Sequence, residues 1–115
     1  MFRQERGAIM AADGYSRMNN RKKFGVIITQ GGPGSENCMG GLAQAFADNV
    51  PVLYLPGGPA INQHSVRPNF SPARTYESVS VYSEVLWKTD MTANVMRRAF
   101  HRLRNGRPGP VIVEI

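Results

Sequence analysis

Apolar residues at Ala8, Ala11, Ala12, Tyr15 and Met18 recur at the three-and-four spacing of one helical face, and the pattern dissolves in MNNRKK. A first helix starting near Glu5 is predicted. Phe24 to Gln30 is a β-branched run without alternation, as expected of a parallel strand covered on both faces. Met39, Leu42, Ala43 and Phe46 then mark one face of a second helix, and PVLYLP over 51–56 is an apolar strand closed by Gly57 and Gly58. Residues 57–77 are proline-rich and aperiodic, which predicts a long loop with room for one helical turn before Val79. A short strand is expected within Val81 to Thr89. Asp90 is placed to cap a third helix whose apolar stripe is Val95, Met96, Ala99 and Leu103. Gly106 and Pro108 stop that helix, and VIVEI ends the chain as a buried strand. Strands alternating with helices predict an α/β fold: a doubly wound, mostly parallel sheet with helices on both faces.

The first strand and the second helix are joined by TQGGPGSENCMGG, residues 29–41. Glycine tolerates backbone conformations closed to other residues, Pro33 has no donor to lose near a helix start, and Ser35 is expected to cap exposed N–H groups. The result is a sharp strand-to-helix turn. Such turns lie beyond the carboxyl end of a strand, where open α/β sheets bind ligands. No Gly-Lys-Ser or Gly-Lys-Thr follows, and the full dinucleotide glycine pattern is missing, so this is not a phosphate cradle of either kind.

Composition narrows the picture. A chain of 115 residues, 42% of them hydrophobic, reads as one globular domain or part of one. Its N-terminus lacks the apolar core of a signal peptide, and nothing approaches the roughly 20 apolar residues of a membrane span, so a cytoplasmic location without membrane contact is expected. Cys38 is the single cysteine. It can form no internal disulfide or metal cluster, and it sits in an apolar helix pattern as a buried, inert thiol.

Fourteen Lys and Arg against eight Asp and Glu give a formal charge of +6, which raises the question of nucleic acid. Arg21, Lys22 and Lys23 fall in a loop, whereas Arg97, Arg98, Arg102 and Arg104 ride on an amphipathic helix. Aromatic residues are not interleaved with them as a stacking platform requires. A solvated or subunit-facing surface is the reading adopted, with no nucleic-acid partner. Binding that falls steeply with salt would mark the alternative.

Three blocks together resemble one family. FRQERGAIMAADGYSR is similar to the His-Glu-x-Gly-Ala…Ala-Asp-Gly-Tyr-Ala-Arg run of the pyrimidine-binding (Pyr) domain of thiamine diphosphate enzymes, acetolactate synthase-like branch. TQGGPGSENCMGGLAQAFADNVPVLYLPG resembles its Gly-Pro-Gly…Asn…Gly-Leu…Ala…Asp…Pro-Val pattern, and AFHRLRNGRPGPVIVEI resembles its closing helix, turn and strand. The three occur in the family's order.

The resemblance implies that Glu5 is catalytic, exchanging a proton with N1′ of the cofactor's aminopyrimidine so that the imino tautomer can deprotonate the thiazolium C2. A rigid, partly desolvated carboxyl with a raised pKa would suit that role. Without the resemblance, Glu5 reads as a first-turn glutamate favoured by the helix dipole. The resemblance further implies that Gly32, Pro33 and Gly34 bring the backbone close to the pyrimidine, and that Asn37 lines its pocket. Gln63 and His64 occupy the long loop, where family members place substrate-facing side chains; a solvated histidine is the alternative for His64.

This sequence also departs from the family. Gln4 stands where a histidine often precedes the glutamate, no Phe-Gln-Glu sequence is evident, and His64 and His101 do not form the paired histidines of the pyruvate decarboxylase branch. The family's opening strand and helix and its thiamine-binding (PP) domain, which holds Mg2+ and the diphosphate, are expected to lie outside residues 1–115. The chain then reads as a single partial Pyr domain carrying half a cofactor site and no metal ligands. It would act on 2-keto acids only with a PP-domain subunit or as a homo-oligomer. The alternative is a non-catalytic association module that retains the Pyr framework.

Overall fold

The computed structural model describes all of residues 1–115. Four strands, β1 (Gly25–Thr29), β2 (Val52–Pro56), β3 (Tyr82–Val85) and β4 (Pro110–Glu114), form one sheet in the order β1-β2-β4-β3. All pairings are parallel, with Ile27 beside Tyr54, Tyr54 beside Ile112, and Val111 beside Tyr82. The helices are α1 (Glu5–Met18), the single turn α2 (Pro33–Glu36), α3 (Met39–Ala47), the single turn α4 (Pro72–Thr75) and α5 (Thr92–Arg104). The predicted parallel α/β architecture is the one observed.

Side-chain alternation along the strands divides the core in two. Ile27, Val52, Tyr54 and Ile112 face α1 and α3, where Ile9, Ala12, Leu42 and Ala45 meet them. Leu53, Val111 and Val113 face the other way, against Val95, Ala99 and Leu103 of α5. The α5 stripe matches the predicted one except at Met96, which is only partly buried. Every residue of β4 is buried because helices cover both of its faces.

α1 lies close against the sheet. A Cβ on Gly25 would come within 2.3 Å of the Ala12 carbonyl oxygen, so this contact distance requires glycine. Beside it, the fully buried Ser16 hydroxyl donates to the Pro51 carbonyl at 2.6 Å and accepts from the Gly25 N–H at 2.9 Å. One hydroxyl thus joins α1, β1 and the approach to β2.

β1 departs from expectation. Its residues alternate between buried and exposed, with Val26 53% and Ile28 67% accessible. α5 covers the central strands but not this one, and β1 pairs only with β2, leaving its other edge free. Fully burying a Val or Ile is worth roughly 1.5–3 kcal/mol, so this face has a strong tendency to be covered.

Two predicted caps are also corrected. Asp90 lies in a 3-10 turn, Thr89–Met91, and the residue before α5 is Met91, which makes no side-chain cap bond. The Thr92 hydroxyl turns back to the Thr89 carbonyl at 2.7 Å. Ser35 does not cap its turn either; it is buried and donates to the Gly32 carbonyl at 3.0 Å. Gly32 is the residue preceding α2, at φ +62°, a conformation that disfavours side chains.

Candidate functional site

Glu5 opens α1 directly after the extended Gln4, and the turn after β1 brings Gly34 and Asn37 to it. Asn37 Nδ2 donates to Glu5 Oε2 at 3.1 Å. A Cβ on Gly34 would stand 3.5 Å from Glu5 Oε1 and 3.3 Å from Gln30 Cβ, so its hydrogen leaves an open backbone surface beside the carboxylate. Gly32 and Pro33 belong to the same turn, Gly32 half-buried and Pro33 exposed. Glu5, Gly34 and Asn37 therefore meet at the carboxyl end of β1, a juxtaposition that pairs residues 32 positions apart.

The turn is held from below. Tyr76 and Tyr54 both donate to the Ser35 carbonyl, Tyr54 at 3.4 Å, and the Tyr54 hydroxyl also meets Thr29 Oγ1 at 2.8 Å. Burial pushes both tyrosine hydroxyls well above their usual pKa, so they remain neutral donors. Cys38 completes this floor, with its sulfur 3.8 Å from the Glu5 carbonyl oxygen. It is buried, as expected, and burial raises its thiol pKa. Sequence reasoning missed Tyr54, Tyr76 and Ser35 as supports; the one available signal was a hydroxyl-bearing ring inside the otherwise apolar PVLYLP.

The electrostatics of Glu5 differ from expectation. Its carboxyl is held below the usual glutamate range, first by its own backbone N–H at the helix start and then by the Asn37 amide. Burial acts in the opposite direction but is outweighed, because the carboxylate faces solvent. The desolvated, raised-pKa carboxyl is not a property of this chain by itself.

Gln63 and His64 are not joined to this group by any hydrogen bond. Gln63 is exposed, and its side chain makes no hydrogen bond. His64 Nε2 lies 3.1 Å from Glu114 Oε1 and 3.4 Å from Ser71 Oγ, with its ring edge-on to Trp87. Glu114, 1% accessible, also accepts from Ser71 Oγ at 2.9 Å and the Ala73 N–H at 2.8 Å, tying the long loop to the end of β4. A lone acid in the apolar VIVEI was the sequence signal for this hub.

Beyond Glu5 a groove of about 900 Å³ runs along the free edge of β1, walled by Phe2, Ala8, Tyr15, Val26 and Ile28. No three His, Cys, Asp or Glu side chains converge as a metal-binding group, and no helix is long and apolar enough to cross a membrane.

Comparison with known proteins identifies the family of the chain. Residues 1–81 match the family model described as thiamine pyrophosphate enzyme, N-terminal TPP binding domain. The chain is 34% identical over 124 residues to acetolactate synthase isozyme 2 large subunit of Escherichia coli K12, covering 100% of this chain and 21% of that protein. It is 32% identical over 124 residues to acetolactate synthase of Arthrospira platensis, covering 100% of this chain and 20% of that protein. With acetolactate synthase large subunit of Lactococcus lactis the identity is 30% over 117 residues, with 100% and 20% covered. The chain spans about a fifth of the length of the curated relatives it matches. On the strength of the family match across more than half its length, the chain belongs to the thiamine pyrophosphate enzyme family, N-terminal TPP-binding domain.

Proposed function

We propose that this chain is the pyrimidine-binding half of an acetolactate synthase-like enzyme acting on 2-keto acids, with Glu5 as its catalytic carboxyl. The observation carrying this reading is the meeting of Glu5, Gly34 and Asn37 at the carboxyl end of β1. These residues fit a flat, polar aminopyrimidine. Asn37 offers a carboxamide, Gly34 an unobstructed backbone surface, and Glu5 a carboxylate able to share a proton with a ring nitrogen. Gly32 sets the turn through its positive φ, and Pro33 follows it as the first residue of α2.

When bound, thiamine diphosphate supplies the electron sink for chemistry next to the substrate carbonyl. The chain's own contribution is to orient the pyrimidine and to hold or release a proton at Glu5 Oε1 or Oε2. Covering this solvent-facing carboxylate with a second domain would remove water from it and raise its proton affinity, opposing the pull of Asn37 and the helix start. Mg2+ and the diphosphate belong in this reading to a PP domain outside residues 1–115, and the isolated chain is inactive. Among substrate-facing residues Gln63 has a free side chain, whereas the His64 ring is engaged by Glu114.

A second reading, a non-catalytic association module, is favoured by the exposed Val26 and Ile28 and the free edge of β1. A calorimetric titration separates the two. Thiamine diphosphate and Mg2+ are added to the chain alone and to its mixture with an acetolactate synthase-type PP domain, with Glu5→Gln as control. Heat only in the mixture, with loss of 2-keto acid turnover in the control, is the expected result. Silence in both titrations would remove the enzyme reading and leave association.

A further inference from the structure

At the amino end of the sheet, opposite Glu5, the turn from α1 to β1 approaches the turn from α5 to β4. Arg21, Lys22 and Lys23 come from the first, Arg107 from the second and Arg104 from the end of α5. None of the five forms an ion pair with a carboxylate; the nearby Asp48 is taken by Arg17 at 2.7 Å. Their contacts are instead neutral. Arg21 reaches the Asp48 carbonyl at 3.2 Å, Arg107 Nε the Asn49 side-chain oxygen at 2.6 Å, and the Arg104 guanidinium lies over the Phe100 ring. The guanidinium groups are thus oriented without a direct carboxylate partner. Between the two turns lies a cleft of about 210 Å³, rimmed by Arg21, Lys22 and Arg104 and floored by Phe24, Leu103 and Pro108.

We propose that this cleft is a docking surface for an acidic segment of another protein, one that places an apolar side chain on the floor and carboxylates on the basic rim. Charge complementarity selects an acidic partner, and the apolar floor selects a side chain over a bare anion. A second copy of the chain does not meet the requirement. Of its eight acids, Asp13, Asp48, Glu84 and Glu114 are engaged by Arg17, Arg98 or His64, and Glu5, Glu36, Glu77 and Asp90 lie on separate elements. A single-stranded nucleic acid would gain no stacking platform here, because Phe24 packs against Phe100 at 5.9 Å between centroids. This surface does not depend on the cofactor reading.

Fluorescence anisotropy with the full chain at low ionic strength tests it. The probe is a labelled peptide of Asp and Glu flanking one Leu; its partners are the same peptide with Ser for Leu and a labelled single-stranded oligonucleotide. Arg21→Asn, chosen because asparagine tolerates the observed φ of +60°, is combined with Arg104→Gln, and the exposed loop variant Arg67→Gln serves as control. Saturable binding of the Leu peptide is expected, weakened about tenfold both by the double substitution and by the Ser peptide, with Arg67→Gln unchanged. Loss of binding in Arg67→Gln equal to that in the double variant would overturn the proposal. So would equal affinity for the Ser peptide, tighter binding of the oligonucleotide, or no binding of the Leu peptide.

Discussion

Asn37 donates its side-chain amide to the Glu5 carboxylate at 3.1 Å, joining the start of α1 to the turn beyond β1. The bond explains part of the lowered proton affinity of Glu5, the rest coming from the helix start. Replacing Asn37 by Ala removes one donor to the charged form, so the Glu5 pKa is expected to move upward without reaching the ordinary glutamate value. A carbon-detected NMR titration of the Glu5 carboxyl in both chains reads this directly. An unchanged or lower value would mean that the amide does not stabilise the carboxylate.

Removing the Ser16 hydroxyl is expected to destabilise the fold. Ser16→Ala leaves the Gly25 N–H and the Pro51 carbonyl without their partner in a buried joint. An orphaned buried polar group costs about 1–3 kcal/mol, and the urea midpoint should fall accordingly with little change in slope. A variant as stable as the parent would show that water replaces the hydroxyl.

The pair of Arg98 with Glu84 introduces a pH dependence. Arg98 first, and the Tyr82 hydroxyl after it, hold the Glu84 carboxyl below its usual pKa. A carboxyl with a depressed folded pKa contributes stability above its unfolded value and loses it as the pH falls through the folded value. At neutral pH Glu84→Gln should therefore be less stable by about 1 kcal/mol or less, since the Arg98 side chain is half exposed. That difference should shrink on acidification. Thermal melts of both chains from neutral to acid pH check the sign, and a gap that widens in acid would contradict it.

Cys38 should resist modification while the chain is folded, because its thiol is buried and its pKa raised. Reaction with a disulfide reagent is expected to be slower by on the order of tenfold or more than in urea. Equal rates would mean that the floor beneath the glycine turn opens readily.

Much of the fold was legible because periodicity reports burial. The spacing of Val95, Ala99 and Leu103 marked the buried face of α5. The stripe expected for α1, Ala8, Ala11, Ala12, Tyr15 and Met18, located the helix but not its buried face, which is Ile9, Ala12 and Ser16 with Tyr15 and Met18 exposed. The unbroken apolar run of VIVEI marked a strand covered on both faces. GVIIT looked the same and was misread. The run carries the preference for a covered strand, but only the position of β1 at the sheet edge, beyond the reach of α5, decides that Val26 and Ile28 face solvent.

The candidate site divides in the same way. Sequence by itself determined the parallel α/β class, the glycine turn, the buried Cys38 and, through three ordered motifs, the family. These are local or patterned properties, written in consecutive residues. Tertiary structure alone decided that Tyr54 and Tyr76 hold the Ser35 carbonyl, that Glu114 gathers Ser71, Ala73 and His64, and that Glu5 is solvated rather than desolvated. Such facts depend on which distant side chains meet and on what covers them, and burial of a charge is set by its surroundings in space rather than by its neighbours along the chain.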